Sequence, residues 1–87
     1  MQTSFTEKQL ENKENKTSET ILRKCVHCGM CNATCPTYGI NGDELEGPRG
    51  RIYLIKDMLE NNKPANKKIA QHIDSCLSCY SCMTTCP

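Results

Sequence analysis

The chain has 87 residues, a formal net charge of +1 and eight cysteines, and Leu, Ile, Val and Phe together fill only 14 positions. So thin an apolar share, below that of an ordinary folded domain, does not offset roughly 1–2 kcal/mol of backbone entropy per ordered residue without a metal or covalent staple. The balanced charge excludes a charge-swollen disordered polymer and a basic nucleic-acid-binding stripe, and no run approaches the length of an apolar membrane span.

Residues 1–16 are polar and rich in Asn, Lys and Glu, which predicts a mobile tail or frayed helix ahead of a single domain over 17–87. The opening MQTSFTEKQL has no apolar h-region, so no secretory leader is expected. Thr17 or Ser18 can cap a short helix whose apolar contacts are Ile21 and Leu22 and which feeds into Cys25. Residues 37–47, TYGINGDELEG, hold three glycines and no sustained period, and read as a loop. Pro48 suits a first helical turn, and Ile52, Ile55, Met58 and Leu59 recur on one face until Asn61, Asn62 and Pro64 stop the helix. A second helix is expected from near Asn66 through Ile69 and Ile73, giving an αα-hairpin. No alternating stretch long enough for a strand pair appears.

The cysteines fall into two copies of one pattern. Cys25, Cys28, Cys31 and Cys35 stand in CVHCGMCNATCP, and Cys76, Cys79, Cys82 and Cys86 in CLSCYSCMTTCP. Each reads C-x2-C-x2-C-x3-C-P, the run by which bacterial ferredoxins hold cubane iron–sulfur clusters. Three cysteines at i, i+3 and i+6 can wrap one side of a cube, and the short turn that follows carries the fourth away. In two-cluster ferredoxins that fourth cysteine ligates the other cluster. On this rule Cys25, Cys28, Cys31 and Cys86 hold the first 4Fe–4S cluster, and Cys76, Cys79, Cys82 and Cys35 hold the second. Pro36 and Pro87 end the ligand loops. The expected fold class is all-α: an alpha-helical ferredoxin-like domain with two clusters, and Ile52, Ile55, Leu59, Ile69 and Ile73 packed against them.

Other uses of eight cysteines fit less well. Disulfides want an oxidising compartment, and zinc takes C-x2-C pairs without a third cysteine at x2 and a fourth before proline, twice over. Two oxidised clusters with their thiolates would bring the net charge to about −3. Lys24, Arg49, Arg51, Lys67 and Lys68 are candidates to moderate that field, the two lysines at 67 and 68 more simply as solvated side chains. His27 can bond a cluster sulfur or face solvent. His72 reads as a polar helix residue, and Tyr80 as a shield for the second cluster or an ordinary loop aromatic. Met30 and Met83 read as packing on cluster sulfur. Arg49 and Arg51 can alternatively dock a partner or solvate a helix start.

With the cysteine runs in place, ILRKCVHCGMCNATCPTY, GDELEGPRGRIYLIKDMLE and HIDSCLSCYSCMTTCP closely resemble the N-terminal region of glycolate oxidase iron–sulfur subunits. The stretch GDELEGPRGRIYLIK narrows the match; the cysteine runs alone are shared with subunits serving lactate, glycerol-3-phosphate, heterodisulfide and succinate chemistry. The resemblance implies an electron-transfer subunit with no catalytic residue of its own. An FAD-containing partner would oxidise glycolate to glyoxylate, and electrons would pass toward a membrane acceptor such as quinone. The place implied is cytoplasmic, at most peripheral on the inner membrane face. The family subunit is much longer, so a truncated chain is expected.

Overall fold

The computed structural model describes residues 1–87. Every element is helical: α1 (Glu7–Leu10), α2 (Lys13–Lys24), α3 (Pro36–Asn41), α4 (Pro48–Glu60) and α5 (Lys67–Asp74), with 3₁₀ turns at Met30–Thr34, Glu44–Glu46 and Ser81–Thr84. The all-α expectation and the hairpin of α4 and α5 between the cysteine runs are as the sequence predicts. Pro48 opens α4 at its first turn, where a missing N–H costs nothing. Asn66 caps α5, its Oδ1 accepting from the Ile69 amide at 2.8 Å.

Three expectations are refined. Residues 1–16, expected as a mobile tail or frayed helix, form α1 and the first turn of α2. Thr6 and Gln9 form a capping box, the Thr6 hydroxyl accepting from the Gln9 amide at 3.2 Å and the Gln9 side chain from the Thr6 amide at 2.9 Å. The same Gln9 side chain donates to the carbonyls of Leu59 and Glu60, both at 3.0 Å. It therefore satisfies acceptors that the end of α4 leaves open. Asn12, not Thr17 or Ser18, caps α2, and Thr17 lies inside the helix with its hydroxyl on the Lys13 carbonyl. The polar composition that looks like a tail is the polarity of residues that close helix ends.

The stretch 37–47 is likewise more ordered than a loop. Pro36 starts α3, Gly42 ends it in the left-handed region (φ 65°), and the Asp43 carboxylate accepts from the Leu45 amide to open the next 3₁₀ turn. Gly50 lets α4 lie directly on that turn: a Cβ there would stand 2.1 Å from the Glu44 carbonyl oxygen.

The interior is unusual in kind. Leu22 and Ile69 are the buried apolar side chains, whereas Gln9, Asn32, Glu46, Arg51 and His72 are buried polar ones. Of the five residues expected against the clusters, Ile69 is buried, and Ile52, Ile55, Leu59 and Ile73 are half-buried. Ile52 alone of the five lines a cysteine-bearing cavity. Helix α4 packs against both α2 and α5.

Candidate functional site

The two cysteine runs adopt the same backbone course. In each, the second residue after the first cysteine is left-handed, His27 (φ 59°) and Ser78 (φ 55°). The residue after the second cysteine is left-handed too, Gly29 (φ 81°) and Tyr80 (φ 61°), and a 3₁₀ turn follows. Glycine adopts this conformation freely; His, Ser and Tyr do not, and such strain collects at working sites. Its effect is visible here. The His27 amide donates to Cys25 Sγ at 3.3 Å, and the Ser78 amide to Cys76 Sγ at 3.5 Å. Backbone N–H groups turned onto sulfur are the kind of outer contact that tunes a thiolate-held metal group.

The two turns are also fastened to each other. Thr34 Oγ1 donates to the Ser81 carbonyl at 2.9 Å and lies 3.3 Å from Thr85 Oγ1. The thiols therefore come together from both ends of the sequence and line two cavities. One is lined by Cys76, Cys79, Cys82 and Cys35. The other is lined by Cys25, Cys28, Cys31, Cys82 and Cys86, so Cys82 faces both.

The donor set fits a polynuclear thiolate-bound group. His27 Nδ1 and Arg49 Nε are buried without hydrogen-bond partners, and both residues line the cavity of the first run. Glu44 Oε1 stands 3.5 Å from Arg49 Nε, at ion-pair distance only. A cluster held in that cavity would offer both nitrogens acceptor sulfurs, and buried polar atoms without a partner are rare.

The thiol environments differ. At Cys35 burial pushes the thiol up, but the Thr37 hydroxyl, the Tyr38 amide and the Arg51 side chain outweigh it and hold it below the ordinary value. Ser81 lowers Cys79. Burial raises Cys31. Cys25, Cys31, Cys35 and Cys82 are half-buried and the other four exposed.

Behind Cys35 lies a buried polar cluster. Arg51 Nε donates to the His72 carbonyl and Nη2 to Thr37 Oγ1, both at 2.8 Å. Arg51 Nη2 pairs with Glu46 Oε2 at 3.5 Å, and His72 Nδ1 meets Glu46 Oε1 at 2.8 Å. Arg51 is thus neither a solvated helix start nor exposed for docking, and His72 is a polar helix residue, as expected, but a buried one. Both burials have one cause. The Glu44–Glu46 turn brings a carboxylate inward, and a charge of each sign is buried only when paired.

A family model described as "4Fe-4S dicluster domain" matches residues 21–87. The chain belongs to that family. As a dicluster domain it carries two 4Fe–4S clusters, a number that its eight cysteines fit. The glycolate oxidase iron–sulfur subunit of Escherichia coli (strain K12) is 56% identical over 87 residues, covering 100% of this chain and 21% of that protein. The probable glycolate oxidase iron–sulfur subunit of Bacillus subtilis (strain 168) is 33% identical, across 94% of this chain and 20% of its own length. The succinate dehydrogenase iron–sulfur subunit of Paracoccus denitrificans is 28% identical over 72 residues, 28% of its length. The chain therefore spans between a fifth and somewhat over a quarter of these relatives. No solved structure matches. No helix is long and apolar enough to cross a membrane.

Among the remaining dicluster-domain candidates, Lys24 and Met83 line the first cavity and Tyr80 the second, while Met30, Lys67 and Lys68 are exposed and line neither. Thr34, Thr37 and Glu46 carry the site's inner contacts and have no signature in the sequence. Only their positions beside the cysteine runs could have pointed to them.

Proposed function

We propose that the chain is the cluster-bearing portion of a glycolate oxidase iron–sulfur subunit. It takes electrons from an FAD-containing partner that oxidises glycolate to glyoxylate and hands them toward a membrane acceptor such as quinone. The observation that carries the reading is the 56% identity along the whole chain to a protein of that name. It is supported by two cavities that each draw thiols from both cysteine runs. Glycolate oxidation releases two electrons and two protons, whereas bound 4Fe–4S clusters supply one-electron transfer; a pair of one-electron sites suits a two-electron flavin donor.

The chain's own residues hold, tune and insulate. Cys25, Cys28, Cys31 and Cys86 form one ligand set, and Cys76, Cys79, Cys82 and Cys35 the other. The His27 and Ser78 amides steady the leading thiolate of each run, and Thr34 keeps the two ligand turns in contact. Substrate chemistry belongs to the flavoprotein. The place of work follows: cytoplasmic, against the inner membrane face.

Anaerobic reconstitution should give about eight iron and eight sulfide per chain. Cys86→Ser should then perturb the cluster that Cys28→Ser perturbs, and Cys35→Ser the one that Cys79→Ser perturbs. Glycolate plus the flavoprotein should bleach the visible absorption of the complex. A reconstituted, ordered chain without iron overturns the whole reading. Bleaching by succinate or lactate with their own flavoproteins, and none with glycolate, overturns the choice of donor. The similarity to a succinate dehydrogenase subunit is what makes that comparison worth running.

A further inference from the structure

The two cysteine runs match in spacing and backbone, yet only one of their fourth cysteines has a cation behind it. Cys86 is exposed. Cys35 is backed by Arg51, whose Nη1 donates to Cys35 Sγ at 3.8 Å. The guanidinium side chain is only 8% exposed, so neither water nor salt screens its charge as they screen Lys67 and Lys68. Its aim is fixed from several sides: Nε by the His72 carbonyl, Nη2 by Thr37 Oγ1 and by the Glu46 carboxylate. Glu46 is itself held by His72 Nδ1 on its other oxygen. Thr37 Oγ1 stands 2.6 Å from the Glu46 carbonyl and 3.2 Å from Cys35 Sγ, with one proton to give. The Thr37 hydroxyl and the Tyr38 amide also favour the Cys35 thiolate, but the positively charged donor at the sulfur is the arginine's.

We propose that Arg51, oriented by Glu46, His72 and Thr37, sets the reduction potential of the cluster that Cys35 helps to hold. The inference rests on the dicluster reading above, and on its crossed ligand sets for which cluster is affected. Reduction adds one electron and neither forms nor breaks a bond, so the charge nearby decides its free energy. A buried cation and a hydrogen bond to the ligand sulfur favour the reduced form. Glu46 opposes that effect through its negative charge while holding the cation in place. Arg51 and Glu46 are positioning residues with opposite signs.

The test uses the full chain, reconstituted anaerobically, with both midpoint potentials read by spectroelectrochemistry. The wave lost in Cys76→Ser identifies the second cluster. Arg51→Gln should move that wave to lower potential, Glu46→Gln to higher potential, and Arg51→Lys less far than Arg51→Gln; the other wave should stay in place. A general loosening of the fold would move Arg51→Gln and Glu46→Gln the same way, and that result overturns the proposal. So does an unmoved wave in Glu46→Gln, a near-isosteric change that stands even if Arg51→Gln fails to assemble. Opposite shifts on the other wave would leave Arg51's role intact and refute the crossed ligand sets instead.

Discussion

Two glycine-to-alanine changes, eleven positions apart, should act in opposite directions. At Gly50 a Cβ would lie 2.1 Å from the Glu44 carbonyl oxygen, 2.7 Å from its carbonyl carbon and 2.8 Å from Leu45 Cα. All three are backbone atoms, so no flexible side-chain tip can swing aside. Helix α4 or the Glu44–Glu46 turn must move bodily, and overpacking of this kind costs about 1–3 kcal/mol. The displaced turn carries Glu46, so the Arg51 pair should lengthen as well. At Gly39, inside α3, a Cβ meets nothing within 4 Å, and alanine there should stabilise the helix by about 0.5–1 kcal/mol. The spread is about 1.5–4 kcal/mol, roughly one to three powers of ten in an equilibrium constant. The assay is anaerobic loss of visible absorbance across a denaturant series for Gly50→Ala, Gly39→Ala and the parent chain. The order of resistance should be Gly39→Ala, parent, Gly50→Ala. Equal resistance for the two variants would refute the close approach of α4 to the turn.

Three further outcomes follow from the contacts. Stripping iron with a chelator under reducing conditions should abolish most helical circular dichroism, because Leu22 and Ile69 are the apolar side chains buried without it. Gln9→Ala removes the reciprocal half of the capping box and both bonds to the end of α4. It should weaken the docking of α1 by about 1 kcal/mol, seen as faster amide exchange over residues 6–12 with cluster absorbance unchanged. Burial pushes the Glu60 carboxyl up, but Lys56 at 2.7 Å and the Ser4 amide outweigh it and hold it below the ordinary value. A carboxyl lowered on folding stabilises above its unfolded pKa and loses that contribution as pH falls through the folded one. The N-terminal segment should therefore loosen in acid, and Glu60→Gln should flatten that dependence in exchange measurements.

The cysteine runs, the α4–α5 hairpin and the helix starts at Pro48 and Asn66 are legible in the sequence because each rests on local spacing or on a residue with one conformational role. The paired conformation of the ligand loops is half-legible: Gly29 announces a left-handed turn, whereas its counterpart is Tyr80, for which the same backbone is unfavourable. The Arg51–Glu46–His72 cluster is hidden. Its members are separated by 5 and 21 positions from Arg51, and each residue type is ordinarily exposed. Gln9 misleads for the same reason. A polar residue in a polar segment looks like surface until the carbonyls of Leu59 and Glu60 are brought to it.

The lining of each cavity by both cysteine runs also bears on biosynthesis. Cys25 and Cys86 bound a stretch of 62 residues, and at about 5–20 residues per second the ribosome needs roughly 3–12 s to make it. On the proposed crossed sets, the thiols of the leading run lack their fourth partner throughout that interval. Iron delivered before Cys86 is made would meet an incomplete set.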